Sequence, residues 1–518
     1  MNKFAGYTLI ALLSIGNAMA NTFDDRRNDW RIGAMTYHIF LDRFAPSANL
    51  DAKKHLYAAP RSLRPWSENP KKEGPSDQSV FWTHELSFWG GDLNSLSSKL
   101  DYIDDLGMDV VYLNPIVKAM SNHKYDAIDF YQIAPEYGTF DDLKALTTEL
   151  HKKDMRLVLD GVFNHVGYYS DWFQDALKNK NSKYRDWFYF DDTKQNGYVG
   201  WWGVKTLPEF NWHNPEVIET IATNPDSVVK HYFKYGIDGW RLDVATELGF
   251  EHLRTITTAA HEAKSDSLVI GEVWSYPKDW TEALDAVMNY PLRQLMFNFV
   301  EGKLDGRLLG EQIATMVADS GIEPILRSWI VLDNHDTQRL KTEYPTPTDN
   351  KLLQILQMTL PGAPLIYYGV ELGMVGGHDP GSRGPMRWDL LNDENPDLTW
   401  FKKLISIRNE RPALKVGNYL PLASSMSLAF MRVTDKVSET TIVVVNNSDK
   451  TVEETLLIRD PRIMSGDTFT DLLSGDKYPS QSAVLPITIA PKSALILAPE
   501  MWPEHVERTG HSAYKHID

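Results

Sequence analysis

The chain is predicted to be an α/β protein built on a (β/α)8 TIM barrel, with an inserted domain after the third strand and a C-terminal antiparallel β-sandwich. Three observations predict this. Eight short apolar runs rich in Val, Ile and Leu alternate with helical patterns between residues 32 and 369, the signature of repeated βα units around a parallel sheet. Four of these runs end in acidic segments: DGVFNH at 160–165, GWRLDV at 239–244, GEVW at 271–274 and DNHD at 333–336. Beyond about residue 410 the pattern changes to short β-type runs separated by Asp, Asn, Ser, Gly and Pro.

In chain order, residues 1–20 read as a secretory signal. Lys3 supplies the charge, an apolar stretch runs from Tyr7 to Ile15, and Ala18-Met19-Ala20 offers small residues for cleavage. An uncleaved membrane anchor is the alternative, and the expectation is an exported protein, periplasmic or secreted. Strands are predicted at 32–40, 109–116, 156–163, 236–244, 267–274, 286–292, 328–335 and 364–369. They assign the barrel to residues 21–166 and 213–409. Leu93, Leu96, Leu100, Ile103 and Leu106, at three- and four-residue spacing, predict one amphipathic helix, and Thr139 with Asp142 predicts the capped start of another. Residues 167–212 are aromatic, polar and without period. Long excursions of that kind in a compact domain are usually functional, so they are assigned to an inserted domain over the barrel mouth. Residues 410–500 form the predicted sandwich, and 501–518 a polar tail.

Composition narrows the function. The chain has 518 residues, 42% of them hydrophobic, enough for two or three domains with a large core. It has no cysteine, which excludes disulfides and thiol chemistry. A formal charge of −17 would repel nucleic acid and anionic membrane surfaces, so neither is an expected partner and a neutral substrate is. The 16 tryptophans include Trp172, Trp187, Trp201, Trp202 and Trp212 in one region. Flat amphipathic rings suit sugar faces, although core packing uses the same residues.

Reactive groups of such barrels sit at the carboxyl ends of the strands, where this sequence puts Asp243, Glu272 and Asp336. A single acid there is often a helix cap or an ion-pair partner. Three on separate strands fit glycoside hydrolysis: one carboxylate attacks or stabilises an oxocarbenium-like centre while another carboxyl protonates the leaving oxygen. Burial or a like charge must raise the pKa of the acid, and a crowd of acids and aromatics provides both.

These residues resemble the α-amylase family of glycoside hydrolases. The resemblance runs from YHIFLDRF at 37–44 to the C-terminal runs, with the four acidic segments in the family's order and LPEFN at 207–211 as a fifth signature. It implies that Asp243 is the nucleophile, Glu272 the general acid/base, and Asp336 the carboxylate that grips sugar hydroxyls in the transition state. It implies retention of anomeric configuration, with the first two carboxyls about 5 to 5.5 Å apart. Arg241, two residues before Asp243 on the same strand face, is expected to hold that carboxylate ionised. His165 and His335 resemble histidines that hydrogen-bond the sugar at the cleavage point. Tyr125, in NHKYD at 122–126, resembles the tyrosine stacked under that sugar, and Asp160 a supporting carboxylate. Asp379 and Arg383, in GGHDPGSR at 376–383, resemble the pair that binds the next sugar.

Calcium is left open as a cofactor, and no organic cofactor is implied. Asn164 matches a calcium-ligating asparagine of the family, but Glu247 stands where calcium-bearing members often have histidine. A second calcium loop, near Asp42 and the GGD at 90–92, has Ala45, Pro46 and Ala48 in place of ligands. Val370, before Glu371, replaces an Asp of related members. GIDGWRLDVA, FNHVG, GEVW and VMNYPL are most similar to the neopullulanase and cyclomaltodextrinase branch, whose members carry an N-terminal β-sandwich. Few residues separate the expected cleavage site from the first strand, so the expectation is an open-cleft α-amylase acting on α-1,4-glucans and maltooligosaccharides. The alternatives are a cyclomaltodextrinase or neopullulanase, a 4-α-glucanotransferase, an isomerase, and a non-catalytic glucan-binding protein.

Overall fold

The computed structural model describes residues 22–463 and 465–500. The expected signal segment and the polar tail lie outside the described residues.

Eight parallel strands close a barrel: β1 (Thr36–Ile39), β2 (Val110–Leu113), β3 (Arg156–Gly161), β4 (Gly239–Leu242), β5 (Leu268–Val273), β6 (Ala286–Asn289), β7 (Trp329–Val331) and β8 (Ala363–Tyr367). Thr36 in β1 lies opposite both Val110 in β2 and Leu365 in β8, which completes the ring. Each strand coincides with one of the predicted runs, with β8 starting at Ala363. The runs are apolar without alternation because both strand faces are buried. Alternate residues Val110, Tyr112, Val158, Ile270, Met288, Trp329 and Leu365 fill the lumen as one cluster. Their neighbours Val111, Leu113, Leu157 and Leu159 join the larger cluster under the helices. Gly239 lets β4 approach β5, since a Cβ there would lie 2.3 Å from the Leu268 carbonyl oxygen.

The helix predicted across Leu93 to Leu106 is two short helices, Leu93–Ser97 and Leu100–Asp105. The Ser97 hydroxyl donates to the Leu93 carbonyl at 3.0 Å and Ser98 to that of Ser95 at 2.6 Å. Serine side chains compete for backbone groups in this way, and the break at Ser98 and Lys99 follows. Helix Phe140–Lys152 begins as predicted: the Asp142 N–H donates to the Thr139 hydroxyl at 3.2 Å and the Thr139 N–H to the Asp142 carboxylate at 2.8 Å.

After β3 the chain folds over the carboxyl end of the barrel through helix Asp171–Lys178 and a series of turns. Its PEF segment runs back along the FNH end of β3, with the Val166 N–H on Pro208 O at 3.0 Å and the Phe210 N–H on Asn164 O at 3.1 Å. Trp172, Trp187 and Trp212 are packing residues here: Trp172 and Trp187 meet edge to face at 5.2 Å, and the Trp212 indole donates to Phe163 O at 2.9 Å. The C-terminal unit is antiparallel, a six-stranded sheet faced by the ribbon Val452–Leu457 with Val484–Ile489. Ribbon residues alternate between buried and exposed, and Leu456, Leu485 and Ile487 pack on Met431, Ile442 and Leu497 of the sheet.

Candidate active site

The carboxyl ends of β3, β4, β5 and β7 open into one cavity of about 740 Å³. Its wall holds Asp243, Glu272 and Asp336, with Tyr125, His165, His335, Asp379 and Arg383. Asp160 and Arg241, both buried, stand behind that wall. The candidate residues found in the sequence therefore meet at one place, apart from Asn164.

Strand register explains the meeting. Asp160 of β3 pairs with Arg241 of β4, and Glu272 of β5 with Met288 of β6, so all three polar residues occupy adjacent strand ends. The Arg241 guanidinium, with no exposed surface, serves three carboxylates. Its Nη1 donates to Asp160 at 3.0 and 3.1 Å and to Asp243 Oδ1 at 3.1 Å, and its Nη2 lies 3.0 Å from Glu272 Oε2. Asp160 also accepts from the Tyr112 hydroxyl at 2.6 Å and the Tyr125 hydroxyl at 2.8 Å.

Arg241 pairs with Asp243, as the spacing predicts, and favours its ionised form against the effect of burial. Burial pushes the Asp243 carboxyl well above the usual carboxylate range; Arg241 pulls it down, and Glu272, Asp160 and Asp336 push it up again. The cluster thus retains protons that isolated carboxylates would have lost. Asp336 is pushed up to about 6, first by burial, with Arg383 opposing and Glu272 reinforcing. Its side chain is 37% exposed, into the cavity.

Arg383 ties the third carboxylate to the loop that follows β8. Its Nη2 donates to Asp336 Oδ1 at 3.2 Å, its Nη1 lies 3.0 Å from Asp379 Oδ1, and its Nε donates to His335 O at 2.9 Å. His335 Nε2 lies 2.7 Å from the Tyr125 hydroxyl, and the two rings are parallel, 5.5 Å apart. His165 Nε2 meets Tyr125 O at 3.1 Å. Burial lowers His165 to about 4 and His335 well below the ordinary histidine value, so both are neutral at neutral pH and brace Tyr125 as uncharged partners.

Asn164 borders a separate cavity, with Glu209 and Glu247. Its amide nitrogen is buried without a hydrogen-bond partner. Among the described residues no three His, Cys, Asp or Glu side chains converge as a metal site. Glu209, Glu247 and the Asn164 amide would supply part of the roughly six to eight oxygens that calcium takes, the rest falling to backbone carbonyls and water. At the second loop, Asp42 accepts the backbone N–H groups of Trp89 and Gly90 at 2.9 to 3.1 Å and pairs with Arg43 at 2.7 Å, a structural role. Glu371 accepts from the Tyr37 and Tyr102 hydroxyls at 2.7 and 2.6 Å, deep in the fold.

Sequence reasoning missed several residues of the cavity. Trp274 lies two positions after Glu272 in GEVW, and its indole donates to Glu272 Oε1 at 3.0 Å. Val244 has φ of 50°, a conformation that costs a β-branched residue on the order of 1–3 kcal/mol, and its N–H donates to Glu272 Oε2 at 3.2 Å. Trp202 is 82% exposed, stacks on Trp201 at 5.3 Å and donates to Glu247 Oε1 at 2.9 Å, so these two tryptophans form cavity wall while their neighbours form core. The pairing of Glu85 with His123, at 3.5 Å, has no local sequence signal.

Comparison with known proteins agrees with this geometry. The model of the alpha amylase catalytic domain matches residues 38–396, and that of the maltogenic amylase C-terminal domain residues 420–496. A cyclomaltodextrinase from Geobacillus thermopakistaniensis is 32% identical over 495 residues, 92% of this chain and 78% of that protein. Neopullulanase 2 from Thermoactinomyces vulgaris is 30% identical over 481 residues, 90% of this chain and 78% of that one. Among solved structures, the cyclic α-maltosyl-(1→6)-maltose hydrolase of Arthrobacter globiformis, in complex with that cyclic sugar, superposes with a TM-score of 0.76. It is 28% identical and covers 91% of this chain and 99% of its own. The barrel, the acidic cluster at its carboxyl end and these matches together show that the chain belongs to the α-amylase family of glycoside hydrolases.

Proposed function

We propose that the protein is a retaining α-glucan hydrolase of the cyclomaltodextrinase or maltogenic amylase type, acting on cyclic and short α-1,4-linked maltooligosaccharides. This replaces the open-cleft α-amylase expected from the short stretch before the first strand and returns to the branch that the motifs resemble most. The observation that carries the chemistry is the single Arg241 guanidinium holding Asp243 on one nitrogen and Glu272 on the other. Two carboxyls gathered by one guanidinium suit double displacement, in which one attacks the sugar and the other handles the proton. The substrate class is supported by the relatives named cyclomaltodextrinase, neopullulanase and maltogenic α-amylase, and by the match of residues 420–496.

In the first step an Asp243 oxygen bonds to the anomeric carbon while the bond to the leaving sugar breaks, and the Glu272 carboxyl gives its proton to the departing oxygen. In the second, Glu272 takes a proton from water, the water oxygen replaces Asp243 on the sugar, and both carboxyls return to their starting state. Asp336, held by Arg383, accepts hydrogen bonds from the sugar hydroxyls as positive charge builds.

Rates on β-cyclodextrin, maltotriose, pullulan and soluble starch test the substrate reading. The expected order places cyclodextrin and maltotriose above starch by about tenfold or more in kcat/KM, with the α-anomer formed first by NMR. A preference for starch would return the function to α-amylase, and a first-formed β-anomer would contradict double displacement. Export is part of the proposal and is supported by Lys3, the apolar run and Ala18-Met19-Ala20. Mature protein from the periplasm or medium should begin at Asn21, and recovery only from cytoplasm would contradict it.

A further inference from the structure

The acid/base and the third carboxylate lie on different strands, yet an unbroken chain of contacts joins them. Glu272 Oε2 accepts the Val244 N–H at 3.2 Å and lies 3.0 Å from Arg241 Nη2 as an ion pair. The Trp274 indole N–H then meets Oε1 at 3.0 Å. Trp274 is 57% exposed, so its own burial does not hold it there. What holds it is Tyr290, at the start of the helix after β6: the two rings are stacked 3.6 Å apart at 10°. Tyr290 is 4% exposed, and its hydroxyl accepts from Asn334 Nδ2 at 2.9 Å. Asn334 is fully buried, and its Oδ1 accepts the backbone N–H groups of Asp336 at 3.0 Å and Thr337 at 3.1 Å. The amide of Asn334 therefore shapes the turn that carries Asp336 and anchors the ring that carries Trp274.

We propose that Trp274 is a positioning residue for Glu272, seated by Tyr290 and Asn334, and that this chain keeps the proton-donating oxygen in register with the turn bearing Asp336. The proposal rests on Glu272 being the general acid/base. With Oε2 hydrogen-bonded to the Val244 N–H and ion-paired to Arg241, Oε1 is the oxygen left to carry the proton. The indole N–H takes one of its lone pairs, which fixes the rotamer and leaves the other for the proton passed to the glycosidic oxygen. A carboxyl free to rotate would spend much of its time misdirected, and positioning of this kind governs the efficiency of general acid catalysis. Trp274 also borders the cavity, within reach of a bound sugar chain.

The test uses two variants and two substrates. Trp274→Phe keeps an aromatic face on Tyr290 but has no N–H, and Tyr290→Phe keeps the stack but loses the anchor to Asn334. Maltotriose needs a proton on its leaving oxygen, whereas fluoride leaves α-maltosyl fluoride without one, and kcat/KM reports events through that first bond cleavage. For Trp274→Phe, kcat/KM on maltotriose is expected to fall about tenfold and on the fluoride less than about twofold. Tyr290→Phe, which alters no cavity-lining residue, should show the same split at about threefold. Equal losses on both substrates in both variants would overturn the proposal, since they would mean a general packing role, and so would unchanged maltotriose kinetics. Failure of the wild-type protein to cleave either substrate would instead overturn the assignment of the site itself.

Discussion

Replacing Asp243 by Asn should abolish turnover and leave the fold intact. The amide is isosteric but cannot form the glycosyl ester, so kcat on maltotriose is expected to fall by about 10⁴-fold or more. Stability should move the other way. The folded-state pKa of Asp243 is raised, so its favourable contribution is present in acid and is lost as pH rises through that value. At pH 7, where the unfolded chain would ionise this carboxyl freely, holding it in burial beside Glu272 and Asp160 costs stability, and Asn removes that cost. Thermal unfolding at pH 7 should therefore show a variant at least as stable as the parent, with the difference shrinking toward pH 4. A variant that keeps more than a few per cent of activity would show that Asp243 is not the nucleophile. One that unfolds at lower temperature would show that its charge is structural.

The largest loss of stability is expected from Arg241→Met. Methionine fills similar space but leaves Asp160, Asp243 and Glu272 without the cation they share. Removing one partner from a buried ion cluster costs about 3–5 kcal/mol, because charge remains where water cannot reach it. Protonation relieves that cost, so urea unfolding should find the variant far weaker at pH 7 and closer to the parent at pH 5. A deficit below about 1 kcal/mol at pH 7 would mean that the acids are already protonated or solvated, and that Arg241 does not organise them.

The barrel was legible because each of its strands is buried on both faces, which leaves an apolar run such as RLVLDGVF in plain view. The acids were legible because barrel geometry puts strand ends together, whatever their separation in sequence. The continuous helix from Leu93 to Leu106 was misread, since periodicity does not register two serine hydroxyls competing for carbonyls at Ser97 and Ser98. The sharing of Arg241 among three carboxylates was missed for another reason. The i and i+2 spacing shows Arg241 beside Asp243 but not that the same guanidinium must serve Asp160 and Glu272. The links from Trp274 through Tyr290 to Asn334 carry no local pattern, because each contact crosses from one strand end to the next. Preference for cyclic or linear substrate was not legible either, because part of the cavity wall, Trp201 and Trp202 included, stands on an irregular loop without periodicity.

The central claim is that Asp243 attacks while Glu272 handles the proton. The most direct measurement is mass spectrometry of Glu272→Gln after brief exposure to α-maltosyl fluoride. Fluoride departs without acid assistance, and the missing base slows hydrolysis of the ester. One maltosyl unit is predicted on the peptide containing Asp243, with none on the peptides containing Asp336 or Asp160. A label on another carboxylate, or free sugar of inverted configuration with no label at all, would contradict the account.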